Sequence, residues 1–450
     1  EVNITGISDL NTELAVNEAN VILSGAARFD YFNTVAVNRG TFELHNQRSF
    51  TTADSGAELR VAGDLTVNGG TVQFAATSGF RADNVEVNGG SLVIAEGTNV
   101  DPVLVQAFSA ESGPGAGLRL PAGHTWIVRD NVTVGADGNE FVTPGLIDLA
   151  IRTFPDPENP DGLQGVTDND ATVIIDGAQA EFRGFESRLD RNTGSLTLRG
   201  GKVFDTDVPS FTNGTGGTLN LEGAQFLITD GLFSNAGGSV NIDATSYLEA
   251  DTLRMTSGEM TLAGVVRTNQ ALFYGGTLAF TDGVLYTASV LTTDDFTVAG
   301  GTLYAKEFDG SLVVESGVFA PGQSIADSTV DGDFLLDAGG LLEIEWSSED
   351  ADFLTITGTA SLAGTLQIAL LDGFVPELGA SLEFLTAASI LGGFDLINTV
   401  PGGSGLAFAV REDGGSLFID VTAVPLPGAV WFLLSGFGFL IARRTRNGAR

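Results

Sequence analysis

One short phrase recurs along the chain: one or two small residues, usually glycine, then Ser or Thr, then apolar residues at alternate positions. It reads NGGTVQF from Asn68, NGGSLVI from Asn88, TGSLTL from Thr193, GGTLNL from Gly216 and GGSVNI from Gly237. It returns as GGTLAF from Gly275, GGTLYA from Gly300, GGLLEI from Gly339 and AGTLQI from Ala363. Alternation of this kind predicts a strand with one face in and one face out, and the glycine pair supplies a corner where positive φ is tolerated. Several neighbouring copies lie roughly 20–25 residues apart, the length of one solenoid coil. A strand this short cannot bury its inner face alone; stacked coils share an apolar column of Val, Leu, Ile and Phe. No helical period is sustained before residue 424. The expected fold is therefore all-β, a parallel β-helix (β-solenoid) with a short C-terminal transmembrane helix. A β-sandwich or an array of small β domains is the competing architecture, because the repeat drifts in length.

The pattern divides the chain into an N-terminal cap over 1–20, a solenoid over 21–316, a C-terminal β-repeat region over 317–423 that completes it, and a tail over 424–450. Around 95–170 the glycine phrase lapses into an irregular insertion. It contains ESGPGAG and, at residues 154–162, FPDPENPDG, a polar, proline-rich excursion from the stack that reads as a surface insertion or a binding loop.

The tail has a different character. Val424, Pro425, Leu426, Pro427 and Gly428 precede an uncharged apolar stretch at 429–442, and Arg443, Arg444, Arg446 and Arg450 follow with no acid among them. With the segment before it, the stretch is at the short end of what crosses a bilayer as a helix. Its arginines place the C-terminus on the cytoplasmic side and the body outside. In this three-part order the tail resembles the VPLPA variant of the PEP-CTERM sorting signals of exported Gram-negative bacterial proteins, which the membrane enzyme exosortase processes. The resemblance implies that Val424 to Gly428 lie at or near the recognition and processing site. Gly428 stands where the variant usually has alanine, and no Pro-Glu-Pro is present.

Residues 317–423 resemble the C-terminal end of passenger-like, autotransporter-associated β-strand repeat proteins. The matching elements are the Ala320-Pro321-Gly322 turn, the strand from Asp352 to Gly358 and the strand from Gly379 to Leu385. That resemblance implies a β-solenoid and surface exposure, and it carries no catalytic residues. No membrane barrel follows these strands, so self-export is not expected.

Composition narrows the function. The net charge is −36, and the only lysines are Lys202 and Lys306. Nucleic acid is excluded as a partner, since phosphate binding needs clustered basic residues. The absence of cysteine removes disulfides, thiolate metal sites and a cysteine nucleophile, while 43% hydrophobic residues argue against disorder. The sequence starts at Glu1 without methionine, which suggests a secretory leader removed or left out.

Residues with chemistry to offer are few. His45 and His124 belong to no zinc pattern. No nucleophile elbow or P-loop occurs; GGSGL around Ser404 reads as a flexible turn. Acid clusters remain: Asp168 with Asp170, Asp331 with Asp333, and the group Glu349, Asp350 and Asp352. Asp168, Asp170, Asp331 and Asp333 are the calcium candidates, because calcium takes several oxygen ligands. None fits an EF-hand or a calcium β-roll, and solvated turn acids are the plainer reading. No other cofactor is implied.

The leading expectation is a non-catalytic structural or adhesive protein of the cell surface or extracellular matrix. It would be exported and transiently anchored in the inner membrane through residues 429–442. Exosortase and an envelope or exopolysaccharide matrix are its expected partners, with self-association open. A secreted polysaccharide-active β-helix enzyme is the first alternative, recognisable by a groove where carboxylates converge with an Arg or Lys. A calcium-dependent binding or self-assembling module is the second.

Overall fold

The computed structural model of the chain describes residues 165–401 and 406–423 without a break, shorter stretches between residues 64 and 149, and the backbone of short strands between residues 2 and 61. The protein is all-β, a β-solenoid of about 11 turns with almost no helix; among the described residues a single 3₁₀ turn, Leu371–Gly373, stands apart from the strands. Each coil lays one strand on each of three faces, and almost all pairing between coils is parallel.

The alternation seen in the sequence sets the register. On the first face Leu65, Val85, Trp126, Val173, Leu196, Leu219, Val240, Met260 and Leu278 form one column of paired positions. On the second, Phe211 leads through Phe233, Leu253, Ala271, Val290, Phe308 and Val330 to Ile356. On the third, Phe204 leads through Phe226, Leu248, Val266, Leu285, Leu303, Phe319, Leu342 and Leu366 to Ile397. These columns build one continuous core. A one-residue slip would turn a whole row of Leu, Val and Phe to water, so the buried face locks the register.

The glycine phrase marks a corner where successive coils touch. A Cβ on Gly258, whose φ is +85°, would lie 2.2 Å from the Gly238 carbonyl oxygen, and one on Gly238 would lie 2.7 Å from that of Gly217. The corner is thus a column of glycines whose backbones are in contact, which no larger residue permits.

Residues 1–20 already contribute a rung, since Val2–Ile4 pairs in parallel with Val21–Leu23. The irregular region around 95–170 carries two antiparallel excursions, Gln106–Ser109 with Ala116–Leu120 and Asn131–Val134 with Glu140–Thr143. Its proline-rich segment, 154–162, lies outside the described residues. Residues 318–400 continue the three-faced stack, which ends in an antiparallel hairpin, Leu406–Asp413 with Ser416–Ala423. That hairpin pairs onto Ser381–Gly392 and covers the edge of one face.

The expected transmembrane helix is not supported. Among the described residues no helix is long and apolar enough to cross a membrane, and residues 429–442 lie outside them, as do Val424 to Gly428 and the tail arginines.

Candidate functional site

Among the described residues a concavity lies beside residues 149 and 165, which bracket the undescribed segment 150–164. It is a cleft of about 600 Å³ whose lining includes Asp148, Glu181, Arg183, Glu186, Arg188 and Lys202. The strand Glu181–Arg183 pairs with Leu146–Leu149 so that Asp148 faces Arg183 and Ile147 faces Phe182. Phe182 points inward, and Arg183 therefore points out over the cleft. Its guanidinium meets Glu181 at 2.7 Å and Asp148 at 3.8 Å.

After Arg183 the chain winds through one tight turn, with the Glu186 amide donating to the Phe182 carbonyl and the Leu189 amide to that of Phe185. The turn carries Glu186 back against the coil. One carboxylate oxygen of Glu186 accepts the Phe182 amide at 2.6 Å, and the other meets the Lys202 ammonium at 2.7 Å. Lys202 is buried and also donates to the Ala180 carbonyl at 2.7 Å. Burial pushes the Glu186 carboxyl above its ordinary range, and the charge and hydrogen bond of Lys202 pull it back. Arg188 is exposed at the rim.

Beneath the cleft runs an aromatic stack. Trp126 and Phe182 rings are 5.7 Å apart, Phe182 and Phe185 are stacked at 4.9 Å, and Phe204 and Phe226 are stacked at 4.9 Å. Trp126 is fully buried, so it belongs to the core and is no platform for a sugar. The cleft floor is packed with aromatic rings and its walls carry both signs of charge. Chemically, it can orient a hydroxyl- or carboxylate-bearing ligand by hydrogen bonds from its cations and to its carboxylates.

The calcium candidates are divided among other partners. The Arg119 guanidinium lies 3.7 Å from Asp168 and 3.4 Å from Asp170. Thr167 donates to Asp168 at 3.0 Å, and Thr193 donates to Asp170. Arginine thus sits where a cation would have to enter. Nearby Asp190 is an exposed residue whose carboxyl is partly shielded by its neighbours; that loss of solvation first, and then the charge of Asp168, push it up to about 6, with Arg191 opposing. Asp331 accepts the Thr357 hydroxyl at 2.7 Å and Asp333 the Thr359 amide at 2.7 Å, so both brace a turn of the next coil. Among the described residues no group of three or more His, Asp or Glu side chains is placed to hold a metal.

Of the third acid group, Asp352 alone is buried. Its carboxylate accepts the Ala326 amide at 2.8 Å and the Glu345 amide at 2.7 Å. Burial nonetheless raises it to about 7, and the nearby Glu345 and Glu343 charges add to the rise. Ser404 and the glycines at 402, 403 and 405 lie outside the described residues, and His45 is placed only as the end of the strand Phe42–His45.

Two polar constellations are not apparent from the sequence. One is the Lys202–Glu186 pair. The other is a ladder of buried asparagines at the corner that closes the second face: Asn169, Asn192, Asn213 and Asn235 are all fully enclosed. The first three amides each donate to the next asparagine's side-chain oxygen, at 2.8, 2.8 and 3.2 Å in turn, and Asn235 donates to the Gly238 and Glu259 carbonyls. A signal does exist, since each asparagine stands three to five residues before the Ser or Thr that opens the next strand.

No family model matches the chain, and no curated protein matches it.

Proposed function

We propose that this chain is an exported, non-catalytic structural or adhesive protein of the cell surface or extracellular matrix, delivered by exosortase-type sorting through Val424 to Gly428. The observation that supports this reading is the stack of parallel coils over residues 165–400, in which buried asparagine amides hydrogen-bond from coil to coil. Such a stack makes a stiff rod with no disulfides to reduce, and its acidic surface keeps copies soluble and apart. The tail supplies the address: a short motif, an apolar stretch and a basic end. Mass spectrometry of the native C-terminus, with and without the exosortase, tests it. A C-terminus trimmed near Gly428 only when the enzyme is present supports the proposal, and an intact tail in both cases removes it.

A second reading is favoured by the cleft. Asp148, Glu181 and Glu186 converge there with Arg183 and Lys202, which is the groove expected of a polysaccharide-active β-helix protein. Turnover of any member of a panel of acidic and neutral polysaccharides, abolished by Glu186→Gln or Lys202→Met in folded protein, would establish this second reading over the first.

A further inference from the structure

The C-terminal end of the solenoid is unlike the rest of the surface. Two of its three faces stop at strands whose outer edges no described strand pairs: residues 389–392, bound on one side to 359–362, and Leu396–Val400, bound on one side to 365–369. Leu391, Leu396 and Val400 are 56%, 52% and 49% exposed there. In a chain of charge −36, residues 387–410 contain one charged side chain, Asp395. Open edges are ordinarily protected by lysine, proline or a bulge within the strand, and Leu-Ile-Asn-Thr-Val has none of these.

Connectivity shows what can reach this end. Leu406 is six residues past Val400, at most ~22 Å of chain, and it pairs directly with Ala423, the last described residue. The five residues 424–428 span at most ~18 Å more. They lead into the uncharged stretch 429–442, which as a helix would be ~21 Å long. After it come the four arginines, while the acids Asp395 and Glu412 are exposed on this end of the molecule and Asp413 beside Glu412 meets Arg411 at 3.4 Å.

We propose that, in water and before it is processed or enters a membrane, the tail folds back and residues 429–442 cover the open apolar end formed by Leu391, Leu396 and Val400. The arginines beyond then lie among the acids at the rim. This end suits the tail on three counts: length, absence of charge at the contact, and opposite charge beside it. The proposal goes beyond the sorting reading and does not depend on it, because the contact is read in water with neither exosortase nor membrane present.

The chain has no cysteine, so introduced pairs report without background. In the full chain in detergent-free buffer, Leu396→Cys with Ser435→Cys should oxidise to an intramolecular disulfide in most molecules, with the mass of a monomer. Tyr274→Cys with Ser435→Cys should not. A disulfide between molecules would show that a second copy covers the end, and equal yields from the two pairs would show no preferred seat; either overturns the proposal. Should the cysteine variants fold poorly, amide exchange in the otherwise unaltered chain decides instead. Residues 396–400 should exchange at least ten-fold faster in the full-length Phe437→Asp, Leu440→Asp variant than in the native sequence, and equal rates would overturn it.

Discussion

The side-chain amide of Asn192 donates to Asn213 at 2.8 Å with both side chains fully enclosed, and Asn213 passes the bond on to Asn235. Removing Asn213 takes one acceptor from Asn192, which keeps the Thr218 carbonyl at 3.1 Å, and leaves the Asn235 side-chain oxygen without its donor. An orphaned buried group costs about 1–3 kcal/mol. Asn213→Ala should therefore destabilise the fold by roughly 1–3 kcal/mol, read as a lowered urea midpoint at unchanged slope. Asn235→Leu at the ladder's end should cost less. Its neighbour Asn213 keeps the Ser239 carbonyl as an acceptor at 3.0 Å, and the next paired position is already apolar, Met255.

Lys202 and Glu186 should behave as a unit. Lys202→Met leaves a largely buried carboxylate without its cation, and the cost expected for breaking such a pair is about 3 kcal/mol. The double variant Lys202→Met, Glu186→Gln should lose distinctly less than the two single changes added together. Additive losses in a double-mutant cycle on thermal or urea unfolding would show the two residues to be independent.

Asp352 predicts a pH dependence with a definite sign. Its folded-state value, about 7, lies above the ordinary 3.8, so the folded protein holds this proton more tightly than the unfolded chain does. Stability from this group is present at acid pH and is lost as pH rises from about 4 to about 7, at most ~1.4 kcal/mol per pH unit. Asp352→Asn should flatten that slope relative to the native protein while keeping one of the two backbone bonds. A slope unchanged by the substitution, measured by urea unfolding from pH 4 to 8, would mean that the many other carboxylates set it.

Chelation should change little. Because Arg119 occupies the space between Asp168 and Asp170, and Asp331 and Asp333 bind the next coil, the melting temperature should be the same in EDTA and in millimolar calcium. A calcium-dependent rise of several degrees would restore the reading of this protein as a calcium-assembled module.

Much of the solenoid could be read from the sequence because its rule is local. GGTLNL at Gly216 announces a corner, and Leu219 and Leu221 turn inward as the alternation requires. What could not be read depends on which coil lies above which. Asn169, Asn192, Asn213 and Asn235 look like ordinary turn residues until the register brings them into one column. Asp168 and Asp170 look like ion ligands until Arg119, 49 residues before the nearer of them, is laid beside them by a parallel strand. Lys202 is one of two lysines, which marks it as unusual but does not name Glu186 as its partner.

The ladder of asparagines ends where the coils change size. The inward residues Phe204, Phe226 and Leu248 follow one another at intervals of 22, whereas Leu248, Val266, Leu285 and Leu303 are 18 or 19 apart. Each coil is held only by its neighbours, so a rod pulled from one end gives up thread a winding at a time. The wider windings would release ~75 Å of extended chain per step and the narrower ones ~63 Å. Beyond Leu303 the inward residues Phe319, Leu342 and Leu366 follow at 16, 23 and 24, so the windings narrow and then widen again, and the force-extension trace would carry the positions of both changes.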